Sequence, residues 1–406
     1  MTRATLRRLA LALSVVALVG IAIAGTLAGV RQVGFAQAAI QAEDFYVIPP
    51  DLAPGEPGDL IASESLPGAP IGAQAWRIMY HSTDANGDDI PVTGIVVTPN
   101  GVAPSGGRAV IAWAHPTTGA DPSCAPSLAH DPFELLEGSH ALLSKGFTIV
   151  ATDYAGMGLD TPSAYLVGAT EAHNVLDSVR AAQQIPAAQA GSTVVLWGHS
   201  QGGQAALFAE QLHEEYAPEL DVRGVAVAAP AADLATLLDD DLDDISGVSI
   251  GSYAFTAYAE FYGEDIATIL TPAAEKLVPQ MVKICLTDPK LHELGTPLIG
   301  DFVSSDPSTT APWDDYLARN TPDPGGAGRP LFIAQGLADE LVDPSSTAQF
   351  VTAACATGRS VTSHTLPGVN HGFVAELSIP SLTAWLDDLG RTGPPASTGC
   401  DAGPTS

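Results

Sequence analysis

The chain has 406 residues, 46% hydrophobic and 15% charged, with 16 basic against 46 acidic residues and a formal net charge of −30. That length suits one large domain with an insertion, or two or three small ones, and the apolar content allows a substantial core. A chain this acidic repels polyanions, which excludes nucleic acid and anionic lipid headgroups as partners and suits neutral or apolar substrates.

Residues 1–38 stand apart. Arg3, Arg7 and Arg8 precede an unbroken run of apolar and small residues from Leu9 to Val30, and Ala36-Gln37-Ala38 offers a cleavage site. This pattern reads as an export signal. The run of about 22 residues is also long enough to span a bilayer, so a retained N-terminal anchor is the alternative. Either way the rest of the chain is expected outside the cytoplasm, secreted or in the cell envelope.

Residues 39–70 include a stretch rich in Pro and Gly and read as an extended arm. An α/β core follows in two parts, 71–230 and 330–406. A hairpin of Ala75–His81 and Ile90–Val97 flanks the turn-rich DANGDD. Short β-branched or apolar runs at Ala109–Ala114, Phe147–Thr152, Thr193–Trp197 and Val222–Ala228 suit strands buried on both faces. Amphipathic stretches, Pro132–Leu143 and Thr170–Ala182, lie between them. Such alternation predicts a mostly parallel sheet with helices on both sides.

At about residue 231 the alternation stops. Acidic DDDLDD gives way to aromatic YAFTAYAEFY, then AAEKLVPQMVKICL, then a Pro-rich stretch ending in PDPGGAGRP. Residues 231–329 are read as a mainly helical cap. Its aromatics, Tyr253, Phe255, Tyr258, Phe261 and Tyr262, are assigned to the cap's own core rather than to a substrate tunnel. The DDDLDD cluster lacks the glycine and spacing of a calcium loop and reads as a solvated face. The α/β signal resumes with Leu331–Ala334, Ser345–Ala354 and Ser360–Thr365. Because 330–406 is too short to bury a good core alone, both parts are assigned to one domain.

The pattern glycine–any–serine–any–glycine occurs twice, at Gly198–Gly202 and Gly247–Gly251. The flanks choose between them. Ser200 follows the strand TVVLW and precedes QGGQAALFAEQLHEEY, a good helix former, so it lies at a strand-to-helix corner. Glycines there permit a sharp turn that exposes the serine, and the new helix points free N–H groups at developing negative charge. Ser249 follows DDDLDDIS, which is no strand, and is assigned to a turn where a cap helix begins. Ser200 is the candidate nucleophile.

A serine hydroxyl needs a base, and the base an orienting acid, in the chain order serine, acid, histidine. Of ten histidines, His371 lies in a loop, PGVNHGF, directly after the last strand. His364 falls within that strand, and His199 is assigned a structural role pointing away from the nucleophile. In the loop GLADELVDPSS, Asp339, Glu340 and Asp343 compete for the acid. Asp343 before Pro344 has the pattern of a helix N-cap, so Asp339 is preferred and Asp343 is second. An oxyanion needs at least two donors. Gln201 N–H is one. In the loop His115-Pro116-Thr117-Thr118-Gly119, Pro116 has no N–H, so Thr117 is preferred over Thr118. Asp153 in DYAGMG is expected to fix a loop rather than do chemistry.

Cys124, Cys285, Cys355 and Cys400 form no C-x-x-C motif. Four cysteines in an exported chain favour two disulfides, with three connectivities open.

Across nearly all of residues 43–400 the chain resembles the secretory lipase family of α/β-hydrolases, which includes fungal lipase A. The resemblance rests on FYVIPP, AWAHPTTG, DYAGMG with YLVG and HNVLDSVRAA, the elbow WGHSQGGQAALF, QGLADELV, and a tail with HGF, AWL and a late cysteine. AHPTTG departs from the fungal oxyanion loops. The resemblance implies the α/β-hydrolase fold, hydrolysis of carboxylic esters with Ser200, Asp339 and His371 at the motif positions, and a lid at 231–329 over the acyl-binding region. It also implies disulfides Cys124–Cys285 and Cys355–Cys400. Together these readings predict an exported serine hydrolase of small-molecule or lipid esters, contacting a lipid–water interface through its cap and needing no cofactor or metal. Competing readings are a cell-envelope acyltransferase with the same triad and a non-catalytic binding protein on a hydrolase scaffold. Sequence leaves the oligomeric state open.

Overall fold

A computed structural model describes residues 32–35, 37, 38, 42, 44–242, 244–390, 399 and 400. Most of the proposed export signal or anchor, including Leu9–Val30 and Ala36, lies outside the described residues. So do Asp243 and the side chains of 239–241 in the acidic cluster.

Among the described residues nine strands form one sheet: β1 (Leu60–Ser65), β2 (Ala73–Thr83), β3 (Asp89–Pro99), β4 (Arg108–Ala114), β5 (Thr148–Thr152), β6 (Ala190–His199), β7 (Asp221–Ala228), β8 (Leu331–Gly336) and β9 (Val361–Leu366). Their spatial order is β1-β2-β3-β5-β4-β6-β7-β8-β9. The pairs β1–β2, β2–β3 and β3–β5 are antiparallel, and every pair from β5 through β4 to β9 is parallel. The DANGDD turn closes the β2–β3 hairpin through Asp84, whose Oδ1 accepts from the N–H groups of Asn86 (2.8 Å) and Asp88 (2.9 Å), an Asx-type arrangement.

Because side chains alternate along a strand, each central strand feeds two cores. Ile111, Trp113, Val195 and Trp197 point to one face, where they meet α1 (Ser139–Ser144) and the last helix, Val374–Leu389. Val110, Ala112, Val194 and Leu196 point to the other, against α2 (Gly168–Gln183) and α3 (Gln201–Tyr216). This double burial explains why the strands read as continuous apolar runs.

Between β7 and β8 the chain builds α4 (Leu234–Asp241), α5 (Ile245–Tyr262), α6 (Ala274–Met281), α7 (Pro289–Gly295) and α8 (Trp313–Arg319). The described strand pairing in this stretch is one bridge, Leu270 with Val303. Tyr253, Phe255 and Tyr258 are fully buried, and the Phe255 ring packs on Phe302 and Trp313. Phe261 and Tyr262 are half-buried against the same core. Asp244, the last residue of the acidic cluster, caps α5 by accepting from Ser246 N (2.6 Å) and Gly247 N (3.0 Å). Cys285, in this segment, is bonded to Cys124 beside the β4 loop, and Leu286 N donates to Thr118 O (2.9 Å). Cys355 is bonded to Cys400. After β8 come α9 (Pro344–Ala356), β9 and α10 (Val374–Leu389).

Three elements differ from the sequence reading. Leu60–Ser65, inside the stretch read as an arm, is the edge strand β1; its polar, half-exposed sequence LIASES gives no buried-strand signal. Pro132–Leu143 is helical only from Ser139, because Gly138 adopts a left-handed φ of 79° that closes a series of turns first. Ser249 is not in a turn: it lies inside α5, buried, with its hydroxyl donating to Ile245 O (2.7 Å).

Candidate active site

The β6–α3 corner is sharp. Ser200 has φ 57° and ψ −118°, an unfavourable conformation for a residue with a Cβ. It is held there by the backbone. Ser200 N donates to Ala228 O on β7 (3.0 Å), and Ser200 O accepts from Gly203 N (2.8 Å) and Ala231 N (3.1 Å). A Cβ at Gly198 would overlap the carbonyl oxygen of Gly202, and one at Gly202 that of Ala114 on β4. These two glycines let the corner close. Ser200 Oγ makes no hydrogen bond among the described residues, so it is not joined to His371 in this structure. Such bonds often tighten only when substrate is bound.

His371 and Asp339 are brought together. Asp339 follows β8 and His371 follows β9, and these strands are paired in parallel, so both loops leave the same sheet edge. His371 Nδ1 donates to Asp339 Oδ2 (2.9 Å). The carboxylate also accepts from Gln335 Nε2 (3.1 Å), Leu341 N (3.0 Å) and Val342 N (2.9 Å). Burial pushes the Asp339 pKa up, but the His371 hydrogen bond and charge and the two backbone N–H groups outweigh it and hold the group below its ordinary value. Burial lowers the pKa of His371, against the opposing pull of Asp339. A neutral imidazole at neutral pH, fixed in one tautomer by an ionised carboxylate, is a competent proton acceptor.

The other named residues take separate places. His364 Nε2 lies 3.2 Å from Ser381 Oγ, and Glu340 is exposed. Asp343 caps α9, accepting from Ser345 N (2.7 Å) with Pro344 at the first helical position. Replacing Asp343 with alanine should cost about 1 kcal/mol of stability, read from denaturant unfolding, and leave kcat unchanged. Asp153 fixes a loop, accepting from Thr93 Oγ1 (2.7 Å) and Ser127 N (3.0 Å). His199 does not leave the site: its Nδ1 bonds Glu137 Oε2 (3.0 Å) and its ring stands 5.0 Å from that of His371.

Ser200, Gln201 and Thr117 line one cavity together with Tyr165, Leu166, Leu234, Leu237, Leu238, Gly247 and Ile250. Its volume is about 40 Å³, and it is partly open to solvent. Thr118 is not in its wall. Thr117 Oγ1 bonds Tyr165 OH (2.7 Å), and Gln201 Nε2 donates to the buried Glu171 (2.6 Å). Sequence reasoning missed Glu137, Tyr165, Glu171 and Gln335. Among these, the motif YLVG with its following helix held the nearest signal for Tyr165 and Glu171.

The secretory lipase family model matches residues 138–397, more than half of the chain. The chain belongs to the secretory lipase family. Among its relatives in that family, lipase A of Arthroderma benhamiae is 25% identical over 381 residues, 85% of this chain and 78% of that one. A Mycobacterium tuberculosis protein named as a probable inactive lipase is 25% identical over 375 residues, 85% of this chain and 81% of its own. Candida antarctica lipase A shares the fold, with a TM-score of 0.70 at 21% identity over 87% of both chains. The secretory lipase chain thus has the α/β-hydrolase fold.

Proposed function

We propose that this secretory lipase is an exported hydrolase of carboxylic esters with apolar acyl groups, using Ser200, His371 and Asp339. The observation that carries the reading is the 2.9 Å His371–Asp339 hydrogen bond at the sheet edge that also bears the strained Ser200 corner and its apolar cavity. Export is supported by the family and by two disulfides, which persist in oxidising compartments.

Ser200 Oγ attacks the ester carbonyl while His371 Nε2 takes its proton, and Asp339 stabilises the imidazolium. The N–H groups of Gln201 and Thr117 hold the oxyanion. When the tetrahedral adduct collapses, His371 gives its proton to the departing alcohol. Water then adds to the acyl-enzyme with His371 again the base, releasing the acid and restoring Ser200. The leucines of α4, with Gly247 and Ile250 of α5, take the acyl chain.

A panel of nitrophenyl esters from acetate to palmitate tests turnover and sets the acyl length, with fluorophosphonate labelling of Ser200 as the direct check. The relative named as inactive favours one other reading, a binding protein on this scaffold. Folded protein that neither labels nor turns over any ester would support it. With a soluble ester, kcat/KM should rise with pH along an acid limb centred below the usual histidine value of 6.5, because the His371 pKa is lowered. A limb centred above pH 7 would count against His371 as the base.

A further inference from the structure

Glu171 is a carboxylic acid for which the proposed reaction has no evident use. It lies in the first turn of α2 with no accessible surface. Its Oε1 accepts from Leu166 N (2.8 Å) and Gln201 Nε2 (2.6 Å), while Oε2 is buried without a hydrogen-bond partner among the described residues. A bare, buried anionic oxygen is costly, so this surrounding favours the protonated acid.

The two donors lead to the two sides of the cavity. Gln201 is the residue whose N–H is assigned to the oxyanion. Leu166 has φ 57°, a strained conformation for leucine, and its carbonyl is held by Gln204 Nε2 (3.1 Å) and Tyr258 OH (3.1 Å). Its neighbour Tyr165 hydrogen-bonds Thr117, the other assigned donor (2.7 Å). We propose that Glu171 is a positioning residue for the oxyanion donors, holding Gln201 and the Tyr165–Leu166 turn in register as an uncharged carboxylic acid. This rests on the ester-hydrolase reading.

Burial pushes the Glu171 pKa up to about 8 against the pull of its two N–H donors. The titratable groups facing it are Tyr154 from the loop after β5, Tyr165 from the turn and Tyr258 from α5. Burial foremost holds all three above the ordinary tyrosine value, so none ionises with it. Ionised, Glu171 would set a negative charge beside the developing oxyanion and weaken it.

The test is kcat for a soluble ester between pH 6 and pH 10 in the full chain. Wild type should show an alkaline limb with half-maximal rate near pH 8, falling tenfold per pH unit beyond it. Glu171→Gln, of the same shape but unable to ionise, should lose that limb. Glu171→Ala should lower kcat about a hundredfold at pH 7 with KM changed far less, and Glu171→Gln should recover most of the loss. An alkaline limb unchanged in Glu171→Gln overturns the proposal. Should the alanine variant fail to fold, the glutamine profile alone decides. Wild-type protein that labels at Ser200 and turns over, yet keeps its limb in Glu171→Gln, overturns only the role of Glu171. Protein that does neither overturns the ester-hydrolase reading as well.

Discussion

Replacing Ser200 with alanine should lower kcat by roughly a millionfold, the scale seen when a serine nucleophile is removed from such a triad. The fold should survive. Ser200 Oγ makes no hydrogen bond that alanine would lose, and its strained backbone is held by Ala228, Gly203 and Ala231. Thermal unfolding should move little while ester turnover and fluorophosphonate labelling both vanish. The matching control is Ser249→Ala. That hydroxyl only donates back to Ile245 O one turn earlier in α5, a bond whose loss is nearly neutral for a helix. Loss of activity in Ser249→Ala, with Ser200→Ala still active, would overturn the choice of corner.

Asp339→Asn should lower kcat by about ten thousandfold while leaving KM for a soluble ester near its original value. The amide fits the space, but its NH₂ cannot accept from His371 Nδ1, so the ring turns to the wrong tautomer and Nε2 no longer accepts the serine proton. The carboxylate is also met by Gln335 Nε2 and by the N–H groups of Leu341 and Val342. One amide cannot satisfy all four donors, so some stability is lost too, and unfolding curves should be measured beside the kinetics. Equal losses in Asp339→Asn and Asp343→Ala would defeat the assignment of the acid, since Asp343 serves only as a helix cap.

How much of this was legible without coordinates depended on how local each signal is. The strand–serine–helix corner, the Asp343-Pro344 cap and the runs of β4 to β8 are written in neighbouring residues, and the structure has them within a few positions. β1 was illegible because half-exposed edge residues carry no apolar run; its partner β2, not its own sequence, makes it a strand. Glu171 reads on paper as one polar residue in a helix. Only the approach of Gln201, 30 positions away, shows that it is buried against the site. The same holds for His199: adjacency to Ser200 does not reveal that Glu137 turns its ring toward His371. The cap aromatics announce a core, whereas the residues facing Ser200 are leucines from the inconspicuous stretch ATLLDD.

The cap helices α4 to α8 are spliced between two neighbouring strands, β7 ending at Ala228 and β8 beginning at Leu331. The cap side of the cavity, from Leu234 to Ile250, is therefore one uninterrupted stretch of chain, and a chimera could exchange it whole without moving the strand ends that bear Ser200 and Asp339. The Cys124–Cys285 bond sets the condition on such a transplant. A donor segment must bring a cysteine to the same spot, or the recipient is left with an unmatched Cys124 thiol beside the loop after β4.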